Sequence, residues 1–183
     1  MGAELLTPCK LGEVRASTEN PQLLGEPCQH TDLDYTKSGY RPLLSAEIVH
    51  SIYVQNTSGG NLTCGLSAAW STTSGNPGRK IGAVASDNTP GAGLVDPYVP
   101  SGVIANLQFF HLITEGPALV THDGNGTIVA GDQLVGATAG KFDKFDPAAT
   151  AASENNNQTA RAIDTPADDD DGTKFRARVR YPK

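Results

Sequence analysis

The stretch GVIANLQFFHLI, residues 102–113, decides the fold class. In a strand, alternate side chains point to the same face of the sheet. A period of two places the following set on one face: Val103, Ala105, Leu107, Phe109, His111 and Ile113. The opposite face mixes apolar residues with Asn106 and Gln108. This pattern predicts a strand with one well-buried face and one partly buried face.

Shorter strand patterns continue on both sides of this stretch. Glu47–Asn56 and Lys80–Ala85 are predicted before it. After it we expect strands at Ala118–Thr121, Thr127–Ala130, Gln133–Ala137, Lys141–Phe145, Thr159–Asp164 and Lys174–Tyr181. Turn sequences such as Asp123-Gly124-Asn125-Gly126 separate them. Many short strands with regular turns predict an all-β fold, a small sandwich or barrel of antiparallel strands.

The chain divides into two regions by composition. Residues 1–46 contain Pro8, Pro21, Pro27 and Pro42, and their apolar residues occur as isolated pairs. We interpret this region as an extended N-terminal arm, with a disordered tail as the alternative. Residues 47–183 form the predicted β-domain, with long loops at about 57–80 and 86–101 that are rich in Gly, Ser, Pro and Asn.

Composition excludes several classes of protein. The chain has 183 residues with a net charge of −6, which argues against a globally basic nucleic-acid binder. Apolar runs are too short for a membrane span, and the N-terminus lacks a signal-peptide pattern. The three cysteines (Cys9, Cys28 and Cys64) form no Cys-x-x-Cys pair, so we expect reduced thiols and no zinc site. Four Asn-x-Ser/Thr triplets, at Asn56, Asn61, Asn125 and Asn157, are attributed to chance.

Motifs that carry chemistry are weak throughout. Gly136–Lys141 is one residue short of a phosphate-binding loop, and a hairpin turn is the expected alternative. Ser67 lies in an incomplete nucleophile motif, and a dyad of Cys64 with His111 or His122 has no support from spacing. Calcium could be held near Asp123–Asp132 or by the Asp168–Asp171 run, but solvated turns explain both. We therefore expect no enzyme activity, catalytic residue, cofactor or metal.

Contact residues are more prominent than catalytic ones. In the last strand, Lys174, Arg176, Arg178 and Arg180 alternate with apolar residues, which puts the cations on one face. This row fits an acidic protein partner, and a solvated face balanced by the preceding Asp run is the alternative. The isolated pairs Leu5-Leu6 and Leu23-Leu24 and the only tryptophan, Trp70, complete the predicted partner-binding residues.

A family resemblance is carried by residues 113–181. ITEGPALV (113–120), IVAGDQLV (128–135) and AGKF (139–142), followed by an Ala-rich strand and an acidic turn, resemble the small β-domains of tailed-bacteriophage head-decoration (capsid cement) proteins. The Arg-rich last strand departs from the more apolar ending of that family, and residues 1–46 have no counterpart in it.

The resemblance implies a structural protein of the virion. Such a protein is made in the host cytoplasm, binds the outer surface of the phage capsid and bridges major capsid proteins. It also implies a homotrimer, with no direct contact to nucleic acid or membrane. A carbohydrate- or receptor-binding β-module of a virion fibre is the alternative, although only 6% of the residues are aromatic.

Overall fold

The computed structural model describes residues 10–16, 23–31, 33–34, 41–42, 47–73, 78–85, 91–146 and 158–181. Fourteen strands run through them, and these residues contain no α-helix. The strands are β1 (Pro27–Thr31), β2 (Leu33–Asp34), β3 (Arg41–Pro42), β4 (Ile48–Asn56), β5 (Leu62–Thr63), β6 (Ser67–Trp70), β7 (Lys80–Val84), β8 (Gly93–Val95), β9 (Val103–Ile104), β10 (Phe109–Thr121), β11 (Gln133–Gly136), β12 (Phe142–Lys144), β13 (Gln158–Ala162) and β14 (Lys174–Arg180). The predicted all-β class is confirmed.

Five strands close into a small barrel, which we call the first barrel. The ring runs β4-β7-β6-β8-β10 and returns to β4, with only the β4–β7 pair parallel. Its interior is filled by one apolar cluster that includes Val54, Ile81, Val95, Phe110 and Leu112. Because the ring is closed, each of these five strands has a hydrogen-bonded neighbour on both sides.

The long strand β10 connects this barrel to a second group of strands. Its first half pairs with β4 and β8, and its second half pairs with β14. The change of partner occurs at a bulge between Ile113 and Glu115, next to Gly116 with φ of +115°. A Cβ at Gly116 would lie 2.6 Å from the carbonyl oxygen of Ile48, so glycine is required where β10 passes under β4.

The second group runs β10-β14-β13-β11-β12. An isolated bridge between His122 and Phe142 brings β12 back beside the end of β10, so this group also curls towards closure. Its core includes Val120, Leu134, Phe142, Phe175 and Val179. The same cluster reaches Val49 and Ile113 on the outer wall of the first barrel, which joins the two halves through a continuous apolar core.

Several strand predictions need correction. The decisive stretch 102–113 is interrupted: β9 ends at Ile104, a turn with Leu107 at φ of +67° follows, and β10 begins at Phe109. Leu107 is consequently exposed. Thr127–Ala130 is not a strand, although Ile128 is buried in the core. Ala118–Thr121 is the second half of β10, because the bulge at Gly116 bends the strand without ending it.

The segments predicted as loops contain strands. β5 and β6 lie within 57–80, and β8 lies within 86–101. These strands are only two to four residues long, so they are too short to show the alternation of apolar and polar side chains that marks a strand. The hairpin expected at Gly136–Lys141 is confirmed, with a 3-10 turn at Thr138–Gly140 between β11 and β12.

Part of the predicted arm belongs to the sheet. Pro27–Thr31 forms β1, which pairs with β4 along its whole length. Arg15 makes an isolated bridge to Phe109, and Gly12 donates to the buried carboxylate of Asp96. These contacts place residues 27–31 and the segment around Gly12 and Arg15 against the β-domain, whereas β2 and β3 pair with each other in a separate two-stranded sheet. The domain boundary at residue 46 itself stays a prediction.

Candidate functional site

The basic row of the last strand is displayed on a rigid element. β14 lies between β10 and β13, with Arg178 opposite Pro117 on one side and opposite Arg161 on the other. Phe175, Ala177 and Val179 are buried, while Lys174, Arg178 and Arg180 are exposed and Arg176 is half-buried. The predicted alternation of cations and apolar residues is therefore present.

Carboxylates partly neutralise the positive charge of this row near Arg178 and Arg180. The guanidinium of Arg178 forms an ion pair with Glu47, and both groups are partly exposed. Arg180 lies opposite the half-buried Glu115 in the neighbouring strand. Arg161 extends the row onto β13 and donates from Nε to the carbonyl of Gly131 at 2.9 Å. The surface is a basic strip with an acidic margin, suited to an acidic partner with a few cations of its own.

A groove of about 580 Å³ opens at one end of the first barrel. Trp70 lies at the end of β6, half-buried, and packs against the barrel core on one side while it lines this groove on the other. Polar groups of Gln29, His50 and Thr114 share the lining. Barrel mouths are frequent ligand sites because apolar walls and a few polar groups meet there.

Of the two predicted leucine pairs, Leu5-Leu6 and Leu23-Leu24, only the second lies within the described residues. Leu23 and Leu24 are half-buried and pack against Tyr53 and Phe109, so they cover an apolar patch on the outer wall of the first barrel. Leu5 and Leu6 lie outside the described residues. The interpretation of both pairs as partner-binding residues stays a prediction.

Carboxylates of the acidic turn before β14 form hydrogen bonds and an ion pair with neighbouring groups. The hydroxyl of Thr173 donates to Asp168 and, with the amide of Asp170, lowers the pKa of that carboxyl. Thr127 donates to Asp169 at 2.8 Å, and Lys141 pairs with Asp171 at 2.6 Å. The Asp168–Asp171 run therefore has partners within the chain.

One group of metal-binding side chains was missed by sequence reasoning. Cys28 and His30 on β1 approach His111 on β10, with one ligand atom of each within 4.8 Å of the others. The thiol that lies near His111 is thus that of Cys28. The available signal was the spacing Cys28-x-His30, which puts two ligands on one face of a strand.

Comparisons with known proteins gave similarity of backbone shape alone. No family model matches the chain, and no curated protein matches it. Among solved structures, the chain is similar to the N base of the head fiber gp8.5 of bacteriophage phi29. The TM-score is 0.49 at 13% identity, over 73% of this chain and 97% of that chain. In the part of the chain that the structure describes, no helix is long and apolar enough to cross a membrane.

Proposed function

We propose that this protein is a structural component of a phage virion, a decoration protein that binds the outside of the head and bridges major capsid proteins. The basic row on β14 carries this proposal. Its residues share one face of a strand that is paired on both sides, with Lys174, Arg178 and Arg180 exposed and Arg176 half-buried, so the backbone that carries the cations is fixed. A preorganised surface of this kind binds another folded surface with little loss of conformational entropy.

The strand order of the second half supports the same function. The segments that carry the resemblance to capsid cement proteins form β10 to β14, which are neighbours in one sheet, with the Gly131-Asp132 turn before β11 and the acidic turn before β14. The expected mechanism is stabilisation by mass action: a protein that binds only the mature shell shifts the equilibrium towards it.

Other features of the proposal follow from this mode of binding. A homotrimer places three basic rows around a local threefold axis of the shell. The protein needs no enzyme activity or cofactor for this role and makes no contact with nucleic acid or membrane. It is made in the host cytoplasm and resides on the outer surface of the capsid.

Co-sedimentation with expanded capsids purified without this protein tests the proposal, with unexpanded shells as the control. We expect saturable binding to expanded shells, weakened by salt because exposed charges contribute. The variant Arg178→Gln/Arg180→Gln should bind at least tenfold more weakly. Arg79→Gln/Lys144→Gln changes the net charge equally at exposed positions elsewhere in the β-domain and should bind normally. Equal binding by the two variants would remove the basic row from the interface, and no binding by the folded native protein would overturn the proposal.

A truncation tests whether the N-terminal region acts as a tether. Deletion of residues 1–9 leaves β1 intact, whereas a cut at residue 45 would remove a paired strand of the sheet. If the tether contributes, the shortened protein loses affinity for the shell while its thermal unfolding is unchanged. Unchanged affinity would remove residues 1–9 from the interface.

The groove beside Trp70 favours a second candidate function, that of a carbohydrate-binding module of a virion fibre. An indole at the edge of a groove offers a flat apolar surface for a sugar ring, and Gln29, His50 and Thr114 supply polar groups. A glycan array tests this candidate with Trp70→Ala as the variant. Binding that is lost in this variant, with the fold retained, would favour the fibre module over the decoration protein.

A further inference from the structure

The residues Cys28, His30 and His111 form a cluster on the outer wall of the first barrel. Cys28 and His30 lie on the same face of β1, because they are two residues apart. β1 pairs with β4, and β4 pairs with β10, which carries His111. One sulfur or ring-nitrogen atom from each residue lies within 4.8 Å of the other two.

We propose that Cys28, His30 and His111 bind one transition-metal ion of the zinc type. A thiolate and two imidazoles are the ligands that Zn²⁺ prefers, whereas Mg²⁺ and Ca²⁺ require oxygen ligands. Zinc–ligand bonds of about 2.0–2.3 Å place tetrahedral ligand atoms roughly 3.3–3.8 Å apart. On binding, the ligand atoms therefore need to approach one another by up to about 1.5 Å.

Ser51 orients the two imidazoles towards a common point. Its hydroxyl lies 2.9 Å from Nε2 of His30 and 3.0 Å from Nδ1 of His111. The two rings meet edge to face with centroids 4.6 Å apart. A bound ion would replace the hydrogen bonds that this hydroxyl makes to the two rings, with the Ser51 oxygen or a water molecule as the fourth ligand.

The three residues of the cluster differ in burial, which leaves a path from the solvent by which a metal ion can enter. His111 is fully buried and fixed in the central strand, whereas Cys28 and His30 are half-buried at the surface. The Cys28 thiol binds as the thiolate, so formation of the metal–sulfur bond releases one proton to the solvent.

Titration of the metal-free protein with Co²⁺ and with Zn²⁺ tests this site. Co²⁺ reports a thiolate ligand through a ligand-to-metal charge-transfer absorption, and Zn²⁺ should displace it. We expect one ion per chain and a rise in the unfolding temperature with Zn²⁺ concentration. Absence of the charge-transfer absorption would overturn the proposal.

Matched variants assign the ligands. Cys28→Ser and His30→Gln alter half-buried positions, so they are expected to fold, and each should weaken Zn²⁺ binding at least 100-fold. Cys9→Ser removes a different thiol and His50→Gln a different imidazole, and both should bind Zn²⁺ normally. Full binding by Cys28→Ser or His30→Gln would overturn the assignment. The site does not depend on capsid binding, so this result is independent of the co-sedimentation experiment.

Discussion

The backbone amide of Gly12 donates a hydrogen bond of 2.7 Å to Oδ2 of Asp96, a carboxylate that is fully buried at the end of β8. The amide of Tyr98 donates to the other oxygen at 2.9 Å. Burial raises the pKa of Asp96 to about 7, and the two amide hydrogen bonds oppose this rise. This carboxyl connects the N-terminal region to the barrel and makes the connection sensitive to pH.

The free energy of unfolding should fall as pH rises from about 4 to about 7. In this range the folded protein keeps a proton on Asp96 while the unfolded chain, with an ordinary pKa of 3.8, has lost it. One such group contributes a slope of at most about 1.4 kcal/mol per pH unit. Asp96→Asn should lack this component. Urea unfolding of both proteins at several pH values checks the difference, and parallel profiles would contradict it.

Gly116→Ala should destabilise the protein by at least about 2 kcal/mol. The residue has φ of +115°, and its new Cβ would lie 2.6 Å from the carbonyl oxygen of Ile48. Gly136→Ala is the control, since it has open space around it and no positive φ. Chemical unfolding of the two variants measures the effect. A small cost at Gly116 would mean that β10 and β4 can separate at the bulge.

Asn56→Asp should be strongly destabilising, by about 3 kcal/mol or more. Asn56 is fully buried, and its amide donates to the carbonyls of Gly60 and Ile104 at 2.8 and 2.9 Å. A carboxylate would turn both donors into acceptors. Asn106→Asp makes the same chemical change at an exposed residue and should cost less than about 0.5 kcal/mol. Thermal unfolding compares them, and equal costs would contradict this role of Asn56.

Cys64 should resist alkylation in the folded protein. Burial, with a smaller contribution from the charge of Asp96, raises the pKa of its thiol from 9.0 to about 12. At pH 8 this lowers the thiolate fraction by on the order of a thousandfold. Mass spectrometry after treatment with iodoacetamide should find Cys64 unlabelled until denaturant is added, with the half-buried Cys28 as an internal comparison. Rapid labelling of Cys64 in the native state would show that the first barrel opens readily.

Strand prediction succeeded where large residues alternate or turns are specific. Ile48–Asn56 and Lys174–Arg180 were expected within one residue at each end because their apolar and polar positions alternate. Ser67–Trp70 and Gly93–Val95 were missed because strands of three or four residues carry little periodic signal. The Asn56 triplet was attributed to chance as a glycosylation motif. In the structure the Asn56 side chain is buried and donates to the carbonyl of Ile104, a partner 48 residues further along the chain.

The sequence by itself determined the all-β class and the separation of cations from apolar residues on the last strand, since both follow from local periodicity and turn chemistry. Only the tertiary structure decided that β10 serves two groups of strands and that Cys28, His30 and His111 meet. These features depend on pairing between β1, β4 and β10, and His111 lies 81 residues beyond His30 in the chain. Local patterns specify which face a side chain occupies, whereas the register and order of strands specify its neighbours.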